Sequence, residues 1–257
     1  MVFKRKHHLK THKVNSCRTS TKEVYIGQVF SPSKSIFSTL ESHYDIKLRE
    51  MPANSFFAIF DFEAALFPEK DVKVKTEYNK VHVPISFSIF SNVPGYDQTP
   101  FTKVSDGDTN KLMQHFVGYL INISNAAYKI LKAKYKYIYE YVEQQVREDE
   151  ISKVIAKLDK VFKVLPVISF NGSRYDLNLI KKFVFQHLQV TSCIKKGNSF
   201  LSLRSENLEF LDILNYLQAG SSYSSFLAAF QCEQKKAIYP YESVSYTHLT
   251  LPTSNSV

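Results

Sequence analysis

Apolar and polar positions divide the chain into short alternating runs and longer stretches with helical spacing. In SFFAIFDFEAALF, residues 55–67, the run from Phe56 to Glu63 is aromatic or apolar except for two acids. Such a run predicts a strand buried on both faces. Residues 82–90 set Val83, Ile85, Phe87 and Ile89 against smaller partners and predict a second strand. Turn residues fill 91–108 and end in helix-start chemistry at Asp108-Thr109. Leu112, Phe116, Leu120, Ile123, Ile130, Leu131, Ile138 and Val142 predict helix from about 110 to 147. A stripe from Ile151 to Phe162 predicts another over 150–162. KVLPVISF, 163–170, reads as a third strand that turns into a helix over 171–188. Residues 199–204 and 207–214 predict a hairpin turning at Glu206-Asn207, and a last helix falls near 222–230. Strands alternating with helices make this an α/β chain. Residues 23–54 are mixed and predict a linker with one or two turns.

Composition narrows the class. The 257 residues are 44% hydrophobic and 22% charged, enough to bury a core. Only 7 glycines exclude collagen-like and Gly-rich chains. Three cysteines argue against a disulfide scaffold and fit a reducing compartment. No apolar run reaches the roughly 18 residues of a membrane span, so no membrane partner is expected. The net charge of +9 is concentrated at one end: residues 1–22 hold Lys4, Arg5, Lys6, Lys10, Lys13, Arg18 and Lys22 and no acid. Such a terminus suits a polyanion such as nucleic acid, or is a solvated tail.

Within that basic stub, Phe3, Leu9, His12 and Cys17 stand as F-x5-L-x2-H-x4-C. The spacing resembles the second half of a zinc finger with Cys as the last ligand. It implies a half site of His12 and Cys17, with the first two ligands and the Zn²⁺ expected only in a longer parent chain. At the other end, residues 245–257 contain no Lys, Arg, Asp or Glu and read as a non-native-looking tail.

Two places carry candidate chemistry. Asp61 and Glu63 lie two apart on the first strand, so strand periodicity puts both on one face with Cα atoms roughly 6–7 Å apart. Two carboxylates on a stiff apolar strand are costly unless compensated, and a hard divalent cation compensates them. The bland alternative is a strand that ends at Asp61 with both acids in water. At the second place, VISF runs into Asn171-Gly-Ser-Arg-Tyr-Asp176 and then a helix. Ser173 and Asp176 have the spacing of a capping box, in which Asp176 serves the helix start, and a cap and a metal-site carboxylate can occupy the same turn.

D-x-E on a first strand, followed by N-x3-Y-D at a strand-to-helix junction, resembles the first and second exonuclease motifs of family B DNA-directed DNA polymerases. The protein-primed type of plasmids, viruses and mobile elements is the nearest in pattern. LDILNYL (211–217), SSFLAAF (224–230) and KAIYPYE (236–242) follow in the family's order, so the resemblance covers about residues 55–242. It implies an RNase H-like 3′–5′ exonuclease fold with a mixed sheet flanked by helices. The helices of 110–162 would form a long insertion, and residues 55–244 an exonuclease domain incomplete at its C-terminus. It also implies DNA as partner, and Mg²⁺ or Mn²⁺ as a two-metal cofactor bound by Asp61, Glu63 and Asp176. Asn171 and Tyr175 would touch the single-stranded 3′ end, and Lys236 would assist cleavage. The family's third motif, Tyr-x3-Asp, and its polymerase motifs are expected beyond the C-terminus. The alternative is a DNA-binding or structural module of a mobile element with a nuclease-like fold and no catalysis.

Other features read as structural. YKILKAKYKYIYEYVEQQ interleaves Lys and Tyr, which suits a solvated helix face better than a nucleic-acid stripe. His82, His115, His187, Cys193 and Cys232 show no metal-ligand spacing.

Overall fold

The computed structural model describes residues 34–52, 54–68 and 80–232. His12, Cys17, Lys236 and the 245–257 tail lie outside the described residues. From Ile36 on, these belong to one compact unit. Its strands are β1 (Ala58–Pro68), β2 (Lys80–Ser91), β3 (Phe101–Val104), β4 (Leu165–Ser169), β5 (Val190–Lys196), β6 (Ser199–Ser205) and β7 (Leu208–Asp212). Its helices are α1 (Ile36–Tyr44), α2 (Thr109–Lys134), α3 (Lys136–Gln145), α4 (Glu148–Lys163), α5 (Asp176–His187) and α6 (Tyr223–Ala229). The strands form one mixed sheet in the order β3-β2-β1-β4-β7-β6-β5. β4 runs parallel to both β1 and β7, while the other pairings are antiparallel. The chain is therefore α/β with a mixed sheet flanked by helices, consistent with an RNase H-like fold. No helix among the described residues is long and apolar enough to cross a membrane.

β1 is buried on one face only. Ala58, Phe60 and Phe62 are inside, while Ile59 and Asp61 are exposed. The run looks uniformly apolar because aromatic residues fill the inner face and Ile59 stands on the outer one. Phe60, Phe62, Phe87, Phe116 and Phe210 pack edge-on or tilted at centroid distances of 4.8–6.1 Å. Together they join the sheet to α2 and to Leu177, Ile180 and Val184 of α5.

α2 starts as its sequence predicts, with Asp108 Oδ1 accepting the amides of Asn110 (2.9 Å) and Lys111 (3.1 Å). Its first turns enter the sheet core, and its last turns enter a second core shared with α1, α3 and α4. The linker stretch therefore contains a helix, α1, because Phe37 and Leu40 find an apolar slot there. The Lys–Tyr stretch breaks at Tyr135, which is buried and stacked on Phe162 (5.2 Å, 7°). Tyr135 and Tyr139 are core residues, so this face is neither a nucleic-acid stripe nor simply solvated. β3 and β5 were not foreseen: β3 is four residues long, and β5 is almost wholly exposed and lacks alternation.

Phe162 meets Phe37, Tyr135 and Tyr139 at the centre of the helical core. Phe162→Ala is expected to cost about 3–5 kcal/mol, read as a lower urea midpoint at unchanged m-value.

Candidate functional site

Parallel strands β1, β4 and β7 direct three aspartates to one end of the sheet. β4 pairs with β1 only at Ala58–Val167 and Ile59–Ile168. Beyond that, β4 ends at Ser169 while β1 continues, so Asp61 stands just past the end of β4. On the other side, Ser169 pairs with Asp212, the last residue of β7. The crevice outside the carboxyl ends of parallel strands is where open α/β sheets hold their ligands.

The chain from Phe170 to Tyr175 crosses this crevice as a tight turn. Asn171 adopts φ 63°, a left-handed conformation that asparagine tolerates. Its carbonyl accepts the amides of Arg174 and Tyr175, each at 3.3 Å. Gly172 lies against the end of β4: a Cβ there would overlap Ser169 Oγ and stand 2.7 Å from its Cβ. The turn is held from below by Asp212, which is fully buried. Its Oδ1 accepts the amides of Asn171 (2.8 Å) and Leu214 (3.0 Å), and its Oδ2 that of Ser173 (3.0 Å). Phe170 rests against Tyr223 and Phe226 of α6.

This geometry removes the capping-box reading. α5 begins at Asp176 itself, and the preceding Tyr175 makes no side-chain cap bond. Ser173 is spent on the turn, its carbonyl taking the Phe200 amide at 3.2 Å. Asp176 is buried, 4% exposed, and its Oδ1 has no hydrogen-bond partner. Burial pushes its carboxyl up to about 7, the Asp61 charge adds to the rise, and Asp212 contributes less. The backbone amides of Phe62 and of Asp176 itself pull the other way. An orphaned buried carboxylate oxygen beside a second carboxylate is a donor set that fits a hard divalent cation.

Glu63 is half-buried on β1, immediately before a register shift in the β1–β2 ladder. Bulges often re-aim side chains beside functional sites. Its charge reaches Tyr175, whose phenol is raised by burial, then by Asp176, then by Glu63. Tyr175 is 40% exposed, and its Oη lies 3.0 Å from His82 Nδ1. The structure thus brings Asp61, Glu63, Asn171, Tyr175 and Asp176 into one neighbourhood. Among the described residues, however, no three His, Cys, Asp or Glu side chains stand close enough to form a ready cation site.

Two residues enter the site without having been foreseen. Asp212 ends an alternating strand, and its acid in an otherwise buried phase was the available signal. His82, read as structural, pairs with Tyr175 across 93 residues, a contact with no local signature. Compared with family models the chain matches none, and no curated protein matches it.

Asp176 gives a signed pH dependence. The unfolded chain ionises this carboxyl near 3.8, and the folded chain near 7. Between those values the unfolded state has released a proton that the fold still holds, so stability falls as pH rises. In chelator, Asp176→Asn is expected to stabilise the protein by up to about 4 kcal/mol at pH near 8, with the gain vanishing by pH near 4. Chemical denaturation at several pH values reads this directly. Gly172→Ala is expected to destabilise by about 1–3 kcal/mol or more, seen as a lower Tm.

Proposed function

We propose that residues 55–244 form a metal-dependent 3′–5′ exonuclease domain acting on single-stranded DNA 3′ ends, within a family B DNA-directed DNA polymerase. What carries this reading is Asp176, a buried carboxylate with an orphaned oxygen beside Asp61 at the carboxyl ends of parallel strands. Metal-assisted phosphodiester displacement needs carboxylates to hold its cation. Asp61 and Asp176 would hold Mg²⁺ or Mn²⁺, with Glu63 as a further candidate ligand. A bound cation of this kind stabilises charge on the phosphodiester undergoing displacement.

The chain's own residues would bind and orient the strand. Tyr175, exposed and anchored through its Oη to His82, offers a ring face for a terminal base, which stacks without regard to base identity. Asn171, held in the left-handed region by the Asp212 clamp, presents its amide side chain at the turn. Gly172 lets that turn sit flush on β4. Lys236 keeps its proposed role in charge stabilisation.

The assay is release of nucleotides from a labelled single-stranded 3′ end, with and without Mg²⁺, by a chain extended at its C-terminus through the expected Tyr-x3-Asp motif. Asp61→Ala and Asp176→Ala are each expected to lower the Mg²⁺-dependent rate by at least about 100-fold, with circular dichroism unchanged. Unfolding of Asp61→Ala would assign that acid a structural role. An extended chain that binds the strand but never shortens it would support the non-catalytic DNA-binding module.

A further inference from the structure

From Asn171 to Ser205 the chain carries Arg174, Lys181, Lys182, Lys195, Lys196 and Arg204 against a single acid, Asp176. No other function has been assigned to these cations, and the fold gathers most of them. β5 is the edge strand, and every residue from Thr191 to Asn198 is exposed. Its hairpin with β6 is bolted to the crevice turn through Asn178. Asn178 Nδ2 donates to the carbonyls of Ser173 (3.3 Å), Arg174 (3.0 Å) and Asn198 (3.2 Å).

Four cations from three elements lie along this turn and hairpin tip. Arg174 is exposed on the turn itself. Lys181, on α5, reaches Asn178 Oδ1 at 3.4 Å. The Lys195 ammonium lies 4.6 Å over the Phe200 ring, whose amide binds the Ser173 carbonyl. Lys196 directly precedes the hairpin tip at Gly197. Among the described residues none of these four makes an ion pair. Arg204 differs, since it faces Glu209 at 4.0 Å. Lysines on an edge strand discourage edge-to-edge pairing, which would account for Lys195 and Lys196 alone. It does not account for Arg174 and Lys181, which lie off the strand and meet Asn178 through the Arg174 carbonyl and the Lys181 ammonium.

We propose that this basic surface is a track for the backbone of single-stranded nucleic acid, leading phosphates along the β5–β6 hairpin to the turn that ends at Asp176. Unpaired ammonium and guanidinium groups neutralise phosphates and release their counterions, which gives affinity without sequence preference. The destination of the track rests on the nuclease reading above. The binding itself does not.

The test uses the full chain in chelator, so that nothing is cleaved, and a fluorescent oligothymidylate of about 12 nucleotides. Affinity is followed by anisotropy from about 50 to about 200 mM salt. Lys181→Glu/Lys195→Glu/Lys196→Glu is compared with Lys153→Glu/Lys157→Glu/Lys160→Glu. The second set carries the same charge change onto exposed positions of α4. The first triple is expected to weaken binding at least about 10-fold and to flatten the log–log salt slope by about 2, at ~0.7 per phosphate contact. The α4 triple is expected to leave the slope unchanged. The glutamine version of the first triple should fall between wild type and the glutamate triple. Equal losses in the two glutamate triples, no loss in the first, or a loss seen only with a duplex probe would overturn the proposal. Failure of the nuclease reading gives a different result: no Mg²⁺-dependent shortening by the chain extended through the Tyr-x3-Asp motif, with the slope difference intact.

Discussion

Three backbone amides converging on one buried carboxylate set the geometry on which the candidate site depends. Asp212 closes β7 and takes the amides of Asn171, Ser173 and Leu214. The first two belong to a turn that would otherwise leave buried donors unmatched at the end of β4. With that turn fixed, α5 can begin where it does, and its first residue is delivered into the gap between β1 and β4. The two aspartates then have opposite environments. Asp212 is saturated with donors and serves the backbone; Asp176 keeps an orphaned oxygen and is open to a ligand. The division follows from position: one acid points back into the turn, while the other points across to Asp61.

Much of this was legible because period and burial agree. β2, β4, the β6–β7 hairpin and the helices carry side chains whose spacing matches the face they bury. Asp61, Glu63 and Asp176 were legible for the opposite reason, as acids where an apolar pattern has no use for them. What stayed hidden depends on contacts distant in sequence. α1 forms because the second core offers a slot for Phe37 and Leu40. β5 pairs with β6 through backbone bonds that demand no side-chain alternation. The His82–Tyr175 contact joins residues 93 apart. Asp212 lay within a motif noticed for its order along the chain, yet its role as acceptor for the turn depends on where β7 ends relative to β4.

Interleaved lysine and tyrosine shows how one pattern serves two purposes. Tyr128, Tyr135 and Tyr139 face the helical core, where Asp159 accepts the hydroxyls of Tyr128 (2.7 Å) and Tyr139 (2.9 Å). Lys132 and Lys134 lie over tyrosine rings and keep their charged ends in water. Among the described residues, the cations of the β5–β6 side have no such aromatic platform apart from Lys195 on Phe200. Lysines thus flank a tyrosine-packed core in one segment and stand on an exposed edge strand in the other.

Helices α2 to α4, between β3 and β4, bear on how the sheet can assemble. Pairing Ala58 with Val167 joins residues more than a hundred apart, a long loop to close before any reward is gained. The intervening helices contact one another over much shorter separations, and Ser124 Oγ clasps the Lys163 carbonyl at 2.8 Å. Once that local unit has condensed, the start of β4 is already tethered beside the middle of α2, whose first half lies on the sheet core. The effective loop between β2 and β4 is then shortened to the few free residues at either end. In kinetic terms these helices are expected to act as a tether built from local contacts, lowering the chain entropy lost when the central parallel strands meet.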